Sequence, residues 1–475
     1  MRELHGFNIV TLALTTLFVS CSFPDSKKER PNVLIILADQ WRYDAFGYRG
    51  NPDVKTPNID KLASEGIVIE NAISGLPVST PARACILTGQ RPLSNGIFMN
   101  DVQLDTAKVS LAEAFSPIYE TAYIGKWHLD GHGRSTFIPN NGRRQGFEYW
   151  KVLECTHNYN NSLYYADSPD TLKWIGYDCF AQTEDACKYI RKHSNDDKPF
   201  LLFLSWGPPH EPYQTAPEKY RSLYKPESIS VKKNVPIEHI SKAKEDLCGY
   251  YAHCTALDEM VGKLRKELDD NCISDNTIIL FMSDHGDLLG SHGQYKKQQP
   301  YDESIRVPMI YYLPDKLTPS KCFKDAMVNM EDVMPTLLGL CNISIPKSVE
   351  GKDFSNYLKG GENPGDTLTW ISCIQPFGQW SRQKGGKEYR GIRSLRYTYV
   401  CDLKGPWLLF DNVKDPYQMN NLVNNQEYKD IRDNLDTILN KKLKENRDEF
   451  ETGEFYRNKW NYPAIDKWGN VPYKN

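Results

Sequence analysis

Five short stretches of this chain carry side chains able to do chemistry. Ser79-Thr80-Pro81-Ala82-Arg83 sets a small hydroxyl just before a helix start, with an arginine one turn in. Pro81 suits the first helical position, because its fixed φ fits and its missing N–H would have no helical partner there. Thr80 is then the expected N-cap. Ser79 thus sits at the positive end of a helix dipole, where an anion is favoured. Arg83 adds a planar cation. Alone, this stretch reads as an ordinary capped helix with a surface arginine. The other four are Asp39-Gln40, Gly125-Lys126-Trp127-His128, Pro208-Pro209-His210, and Ser283-Asp284-His285-Gly286 running on to Lys297. They offer oxygen donors of the kind a hard cation accepts. They also offer imidazoles whose near-neutral pKa suits proton transfer.

The elements around them read as an α/β sheet. Residues 33–38 are a continuous apolar run that ends in Asp39. That is how a strand buried on both faces reads. Residues 121–125, 199–205 and 277–282 read as further strands, ending at Lys126, just before Pro208-Pro209-His210, and at Ser283-Asp284-His285. The chemical residues therefore lie past the carboxyl ends of strands, where open α/β sheets place a ligand. Helices are expected from residue 56, over 110–115, 182–193, 245–268 and 330–341. After about residue 365 the pattern changes to short antiparallel strands over 368–373, 389–393, 397–402 and 406–410, then a helix carrying Ile431, Leu435, Ile438, Leu439 and Leu443.

The chain has 475 residues, enough for one large domain and a smaller one. A formal charge of −3 argues against a general polyanion-binding surface, and so against a nucleic-acid partner. An anionic substrate must be held by local cations. Residues 1–21 read as a leader whose apolar run over 7–19 is short for a membrane span. Its end, Leu17-Phe18-Val19-Ser20-Cys21, resembles a bacterial lipobox with Cys21 as the lipidated residue, although Phe18 departs from the usual Leu. Residues 22–30 follow as a charged tether. The expectation is an exported protein, periplasmic or on the cell surface, lipid-anchored through Cys21. The twelve cysteines show no C-x-x-C pair or zinc spacing. Cys179 with Cys187, or Cys248 with Cys254, are open as disulfide pairs. Cys85 reads as a packed small residue.

Taken together, the five stretches, with Thr88-Gly89, resemble the signature set of the type I sulfatases, and the resemblance covers nearly the whole chain after the leader. It implies an alkaline-phosphatase-like α/β fold over 31–365 with a smaller C-terminal sheet-and-helix subdomain over 366–475. In that family the first signature residue, here Ser79, is oxidised to formylglycine by a maturation enzyme, here of the Ser-accepting type. The hydrated aldehyde attacks sulfur and later expels sulfate as its carbonyl re-forms. The resemblance implies Ca2+ held by Asp39, Gln40, Ser79, Asp284 and His285. Gln40 stands where the family usually has a second Asp, and still offers a carbonyl oxygen. Lys126 and Lys297 become clamps on the sulfate oxygens. Lys297 is preferred to Lys296 because it lies four residues before Tyr301, as in the family pattern. His128 becomes the base of the formylglycine step, His210 the acid for the leaving alcohol, and Arg83 the holder of the formylglycine hydroxyl.

His157, Asn158 and Tyr159, in a polar aromatic loop, and Arg390 and Arg393, from the C-terminal subdomain, are the candidate sugar contacts. The pattern is similar to bacterial exported sulfatases of sulfated glycans. It implies galactose or N-acetylgalactosamine sulfate in host or algal polymers, with the 4-O position favoured. Two readings compete. One is a phosphatase or phosphonate monoester hydrolase of the same superfamily. The other is a lipoprotein that binds sulfated glycan without turning it over.

Overall fold

The computed structural model describes residues 30–314, 322–365 and 367–472. The expected leader, Cys21 and the expected tether up to residue 29 lie outside the described residues. In chain order the larger unit has strands β1 (Asn32–Asp39), β2 (Ile67–Ile73), β3 (Glu120–Lys126), β4 (Tyr149–Leu153), a small hairpin of β5 (Leu163–Tyr164) and β6 (Leu172–Lys173), β7 (Phe200–Pro209), β8 (Thr277–Ser283), β9 (Arg306–Val307), β10 (Met309–Tyr312) and β11 (Cys322–Asn329). Among the described residues one nine-stranded sheet has the order β11-β2-β10-β8-β1-β7-β3-β4, with β9 beside β2. The run β8-β1-β7-β3-β4 is parallel throughout. Strands β9 and β10 run the other way, β10 antiparallel to both β2 and β8 and β9 antiparallel to β2.

The apolar runs follow from this architecture. β1, β7 and β8 are buried along their whole length. Val33, Ile35 and Leu37 join the core on one face of the sheet, while Leu34, Ile36 and Ala38 join the core on the other. A strand covered on both faces needs no polar alternation. Because β1, β3, β7 and β8 are parallel neighbours, their carboxyl ends emerge at one edge. Close approach there demands glycine at position 125, which has φ +106, and a Cβ would fall 2.0 Å from the Ser205 carbonyl oxygen.

The C-terminal strands β12 (Leu368–Cys373), β13 (Tyr389–Ser394), β14 (Tyr397–Asp402) and β15 (Gly405–Asp411) form an antiparallel sheet in sequence order. One face packs Ile392, Tyr399 and Leu409 on Leu435 and Leu439 of the Lys429–Glu445 helix. The other packs Ile371, Val400 and Phe410 against Ile73 and Ile305 of the larger unit.

Three local expectations change. After α1 (Pro57–Glu65), the helix α2 (Ser79–Thr88) starts at Ser79, with Val78 as its N-cap, not at Pro81. Thr80 needs no capping role, because its N–H donates to Asn100 Oδ1 at 3.0 Å. Pro81 is harmless inside the first turn, where N–H groups have no helical partner. The helix expected over 182–193 spans Asp178–His193, and that over 245–268 spans Ile240–Asp270. The ten cysteines whose side chains are described are free. Cys179 and Cys187 lie on one helix, as do Cys248 and Cys254. Cys85 is buried in α2, and burial pushes its thiol well above the ordinary value.

Candidate active site

The site is built where β1, β3, β7 and β8 end and α2 begins. Ser79 is 1% exposed, and Asp39, Asp284 and His285 are fully buried. Ser79 Oγ lies 3.0 Å from His285 Nε2 and 3.4 Å from both Asp39 Oδ2 and Lys297 Nζ. His285 Nδ1 faces the Gly286 carbonyl oxygen at 2.9 Å and so carries the proton. Its Nε2 therefore presents a lone pair to the site. Burial, then Lys297, holds this imidazole well below the usual histidine range, hence neutral.

Arg83 lies one turn along α2 and ties the strand ends together. Its Nη2 donates to Asp39 Oδ2 at 3.1 Å and its Nε to Asp284 Oδ2 at 3.2 Å. Its Nη1 reaches the Lys126 carbonyl oxygen at 3.0 Å and Ser205 Oγ at 2.7 Å. These contacts make it a brace between the carboxylates beside Ser79. Lys126 Nζ adds a 2.5 Å bond to Asp39 Oδ2. Burial opposes the Asp39 charge, but the ammonium groups of Lys126 and Lys297 hold its carboxyl well below the usual range. Asp284 goes the other way: burial and the Asp39 charge push it up to about 7 against Arg83 and the lysines. Lys297 is buried, and burial lowers its ammonium pKa. Lys296 is half-exposed and instead pairs with Glu211.

The donor set fits a hard cation. One ligand atom from each of Asp39, Asp284 and His285 lies within 4.8 Å of the others. Asp39 Oδ1 and Gln40 Oε1 are buried without a hydrogen-bond partner among the described residues. The Gln40 amide nitrogen donates to Asp287 Oδ2 at 2.7 Å and Glu211 Oε2 at 2.9 Å, which fixes the amide with its oxygen as the unused acceptor. Carboxylate and amide oxygens dominate, as such ions require.

Two histidines stand nearby. His210 Nδ1 donates to the Glu211 carbonyl oxygen at 3.0 Å, leaving Nε2 as the reactive nitrogen. The His157 ring stacks on it, centroids 4.8 Å apart and planes 8° apart. His128 Nε2 lies 2.8 Å from Asp101 Oδ1, and burial pushes this imidazole down to about 3. Asp101, Ser205, Glu211, Asp287 and Glu154 are partners that sequence reasoning missed. Glu154 accepts the N–H groups of Leu129, Asp130 and Gly131 at 3.2, 2.8 and 3.0 Å, fixing the backbone after His128. Asp287 follows His285 by two residues, and its place in that motif was the one available signal.

The expected sugar contacts divide. His157 is exposed beside His210, and so is Asn158, its Oδ1 accepting the Asn160 N–H at 3.2 Å. Tyr159 is buried beneath Gly207, its hydroxyl donating to the Glu211 carbonyl oxygen at 3.1 Å, so it supports the His210 loop and cannot meet a sugar. Arg390 and Arg393 are also buried. Arg390 Nη2 pairs with Asp448 Oδ1 at 3.1 Å, and Arg393 takes both oxygens of Asp302 at 2.9 Å. With their guanidinium groups spent on carboxylates, both are structural ion pairs, not free cations for a substrate. Arg390→Met is therefore expected to lower stability by about 3 kcal/mol, because Asp448 is left unpaired, while kcat stays unchanged. A urea melt beside steady-state kinetics checks this.

Fold and site together define an alkaline-phosphatase-like hydrolase with a C-terminal antiparallel sheet and helix. The Sulfatase family model matches residues 31–343, and the model for the C-terminal part of N-sulphoglucosamine sulphohydrolase matches residues 290–447. The chain belongs to the formylglycine-dependent sulfatase family and is a sulfuric ester hydrolase. It is 44% identical over 452 residues to an ulvan-active sulfatase of Formosa agariphila, covering 92% of this chain and 87% of that protein. An endo-4-O-sulfatase of Bacteroides thetaiotaomicron is 29% identical over 512 residues, covering 92% and 97%. The crystal structure of a putative sulfatase from Bacteroides fragilis superposes with a TM-score of 0.82 at 29% identity, covering 92% of this chain and 99% of that one.

Proposed function

We propose that this chain removes sulfate from a sulfated polysaccharide of the ulvan type, using formylglycine made from Ser79 and Ca2+ held by Asp39, Gln40, Asp284 and His285. The convergence of Ser79 with this donor set, Lys126 and Lys297 is the observation that carries the reading. The 44% identity to an ulvan-active sulfatase supports an algal polymer over a host glycan. Formylglycine, once hydrated, supplies one hydroxyl that adds to sulfur and a second whose loss of a proton lets the carbonyl re-form. Ca2+ supplies positive charge to the oxygens gathered there.

The chain's own residues do the rest. Lys126 and Lys297 neutralise the sulfate oxygens as charge grows. His210 is neutral in the free protein, because burial outweighs the pull of Glu211. An arriving sulfate ester brings a negative charge that raises its pKa, so that Nε2 binds the proton it gives to the leaving sugar oxygen. His128, neutral by burial, takes the proton from the second hydroxyl. His157 and Asn158 face the sugar. Ser79 is sealed in the fold, so a Ser-accepting maturation enzyme acts before folding. Export and a lipid on Cys21 complete the reading, and bring the enzyme to a polymer that cannot enter the cell.

The tryptic peptide carrying Ser79, isolated from the native host, is expected to weigh about two mass units less than the unmodified peptide, for two hydrogens removed. An unmodified Ser79 in active protein overturns the formylglycine reading. Sulfate release from ulvan oligosaccharides, set beside galactose and N-acetylgalactosamine 4-sulfates, then decides the substrate.

A further inference from the structure

His128, two residues past the end of β3, is held by more than the strand that precedes it. It has φ +61, in the left-handed region that ordinary residues avoid, and so does its partner Asp101, with φ +66. Asp101 Oδ1 lies 2.8 Å from His128 Nε2. Its other oxygen, Oδ2, accepts Arg134 Nη2 at 3.1 Å, which orients the carboxylate. A carboxylate only accepts hydrogen bonds, so Nε2 must be the protonated nitrogen. Nδ1 is then a lone-pair nitrogen, buried and without a hydrogen-bond partner among the described residues. Asn100, the residue before Asp101, takes the N–H of Thr80, the residue after Ser79. One two-residue turn thus touches both the start of α2 and the imidazole.

We propose that Asp101 is a positioning residue that fixes the tautomer of His128, so that Nδ1 and not Nε2 takes the proton of the residue-79 hydroxyl. This rests on reading His128 as the base. In the transfer the O–H bond at residue 79 breaks and an N–H bond forms at Nδ1. The resulting imidazolium keeps Nε2–H on the Asp101 carboxylate, whose charge stabilises it. The arrangement suits a deeply buried imidazole to act as a base: Nδ1 keeps its lone pair unengaged among the described residues, and the cationic form has a ready counter-ion in Asp101.

Asp101→Asn tests this with almost no change of shape. Arg134 requires an acceptor, so the amide oxygen turns to Arg134 and the amide NH2 turns to Nε2. Nε2 must then accept, and the proton moves to Nδ1, blocking the lone pair. With 4-nitrophenyl sulfate as probe, kcat is expected to fall roughly 10³–10⁴-fold with KM within about threefold, the size seen when a triad carboxylate is replaced by its amide. Long-range ¹H–¹⁵N spectra of the histidine-labelled chain give a readout independent of turnover, with His128→Gln assigning the resonance. Nε2–H is expected in the natural chain and Nδ1–H in Asp101→Asn, with thermal midpoints alike. A purely structural Asp101 would leave kcat and tautomer in place. Nδ1–H in the natural chain overturns the proposal without reference to any variant's folding. Near-normal kcat in Asp101→Asn beside an inactive His128→Gln overturns it while the base reading stands. A fully active His128→Gln ends the base reading, and this proposal with it.

Discussion

Ser79→Ala is expected to abolish sulfate release, by about 10⁴-fold or more, while the protein stays folded. The two halves of that expectation have different origins. Without Oγ no aldehyde can be made, and the cluster of Lys126, Lys297 and the donor set then surrounds a methyl group that cannot add to sulfur. What remains is binding and charge stabilisation. The fold loses little, because Oγ makes one contact of ordinary length, to His285 Nε2, and two at 3.4 Å. Alanine is also the best helix former for the first position of α2. The stability change should stay within about 1 kcal/mol, the net worth of one hydrogen bond. Sulfate release followed by ion chromatography, with a thermal melt of the same sample, separates the two. Turnover near that of the natural chain would sink the nucleophile assignment.

How far this site was legible depends on how each residue is held. Asp39, Lys126, His210 and Asp284 stand at the ends of parallel strands written as unbroken apolar runs, so their convergence follows from the sheet. The missed strands lack that signature. β2 is interrupted by Glu70 and Asn71, and β10 is only four residues long, after a proline. Both sit toward the side of the sheet where β10 reverses direction, so no parallel repeat pointed to them. Asp101 was invisible for another reason. Its partner His128 is 27 residues away, and the left-handed turn that aims it leaves no local pattern. Arg390 and Arg393 misled because an arginine looks free in sequence until its carboxylate is known, and Asp448 and Asp302 lie 58 and 91 residues away. Motifs at strand ends report themselves, whereas second partners drawn from loops do not.

Arg83 shows what such a partner is worth. In the metal-free protein, with EGTA present, Arg83→Met is expected to cost about 3–5 kcal/mol, the usual penalty for stranding a buried carboxylate. Two carboxylates lose a donor at once, Asp39 and Asp284, and no water can replace it at zero exposure. The loss should depend on pH in a definite direction. Asp284 is already pushed up to about 7 by burial and by Asp39, with Arg83 opposing. Removing Arg83 raises it further. A carboxyl whose folded pKa lies above its unfolded value favours folding when protonated, and that contribution is lost as pH rises through the folded pKa. The deficit of Arg83→Met relative to the natural chain should therefore be smaller at pH 5 and larger at pH 8. The variant's stability falls by up to about 1.4 kcal/mol per pH unit across the window where Asp284 is protonated only in the folded state. Added Ca2+ should narrow the deficit, since a cation on the same oxygens replaces part of the lost charge. Urea melts at the two pH values, with EGTA and then with Ca2+, read all three effects. Equal deficits at pH 5 and pH 8 would mean that Arg83 does not hold the Asp284 charge, and that its place at the junction of four strand ends is one of packing alone.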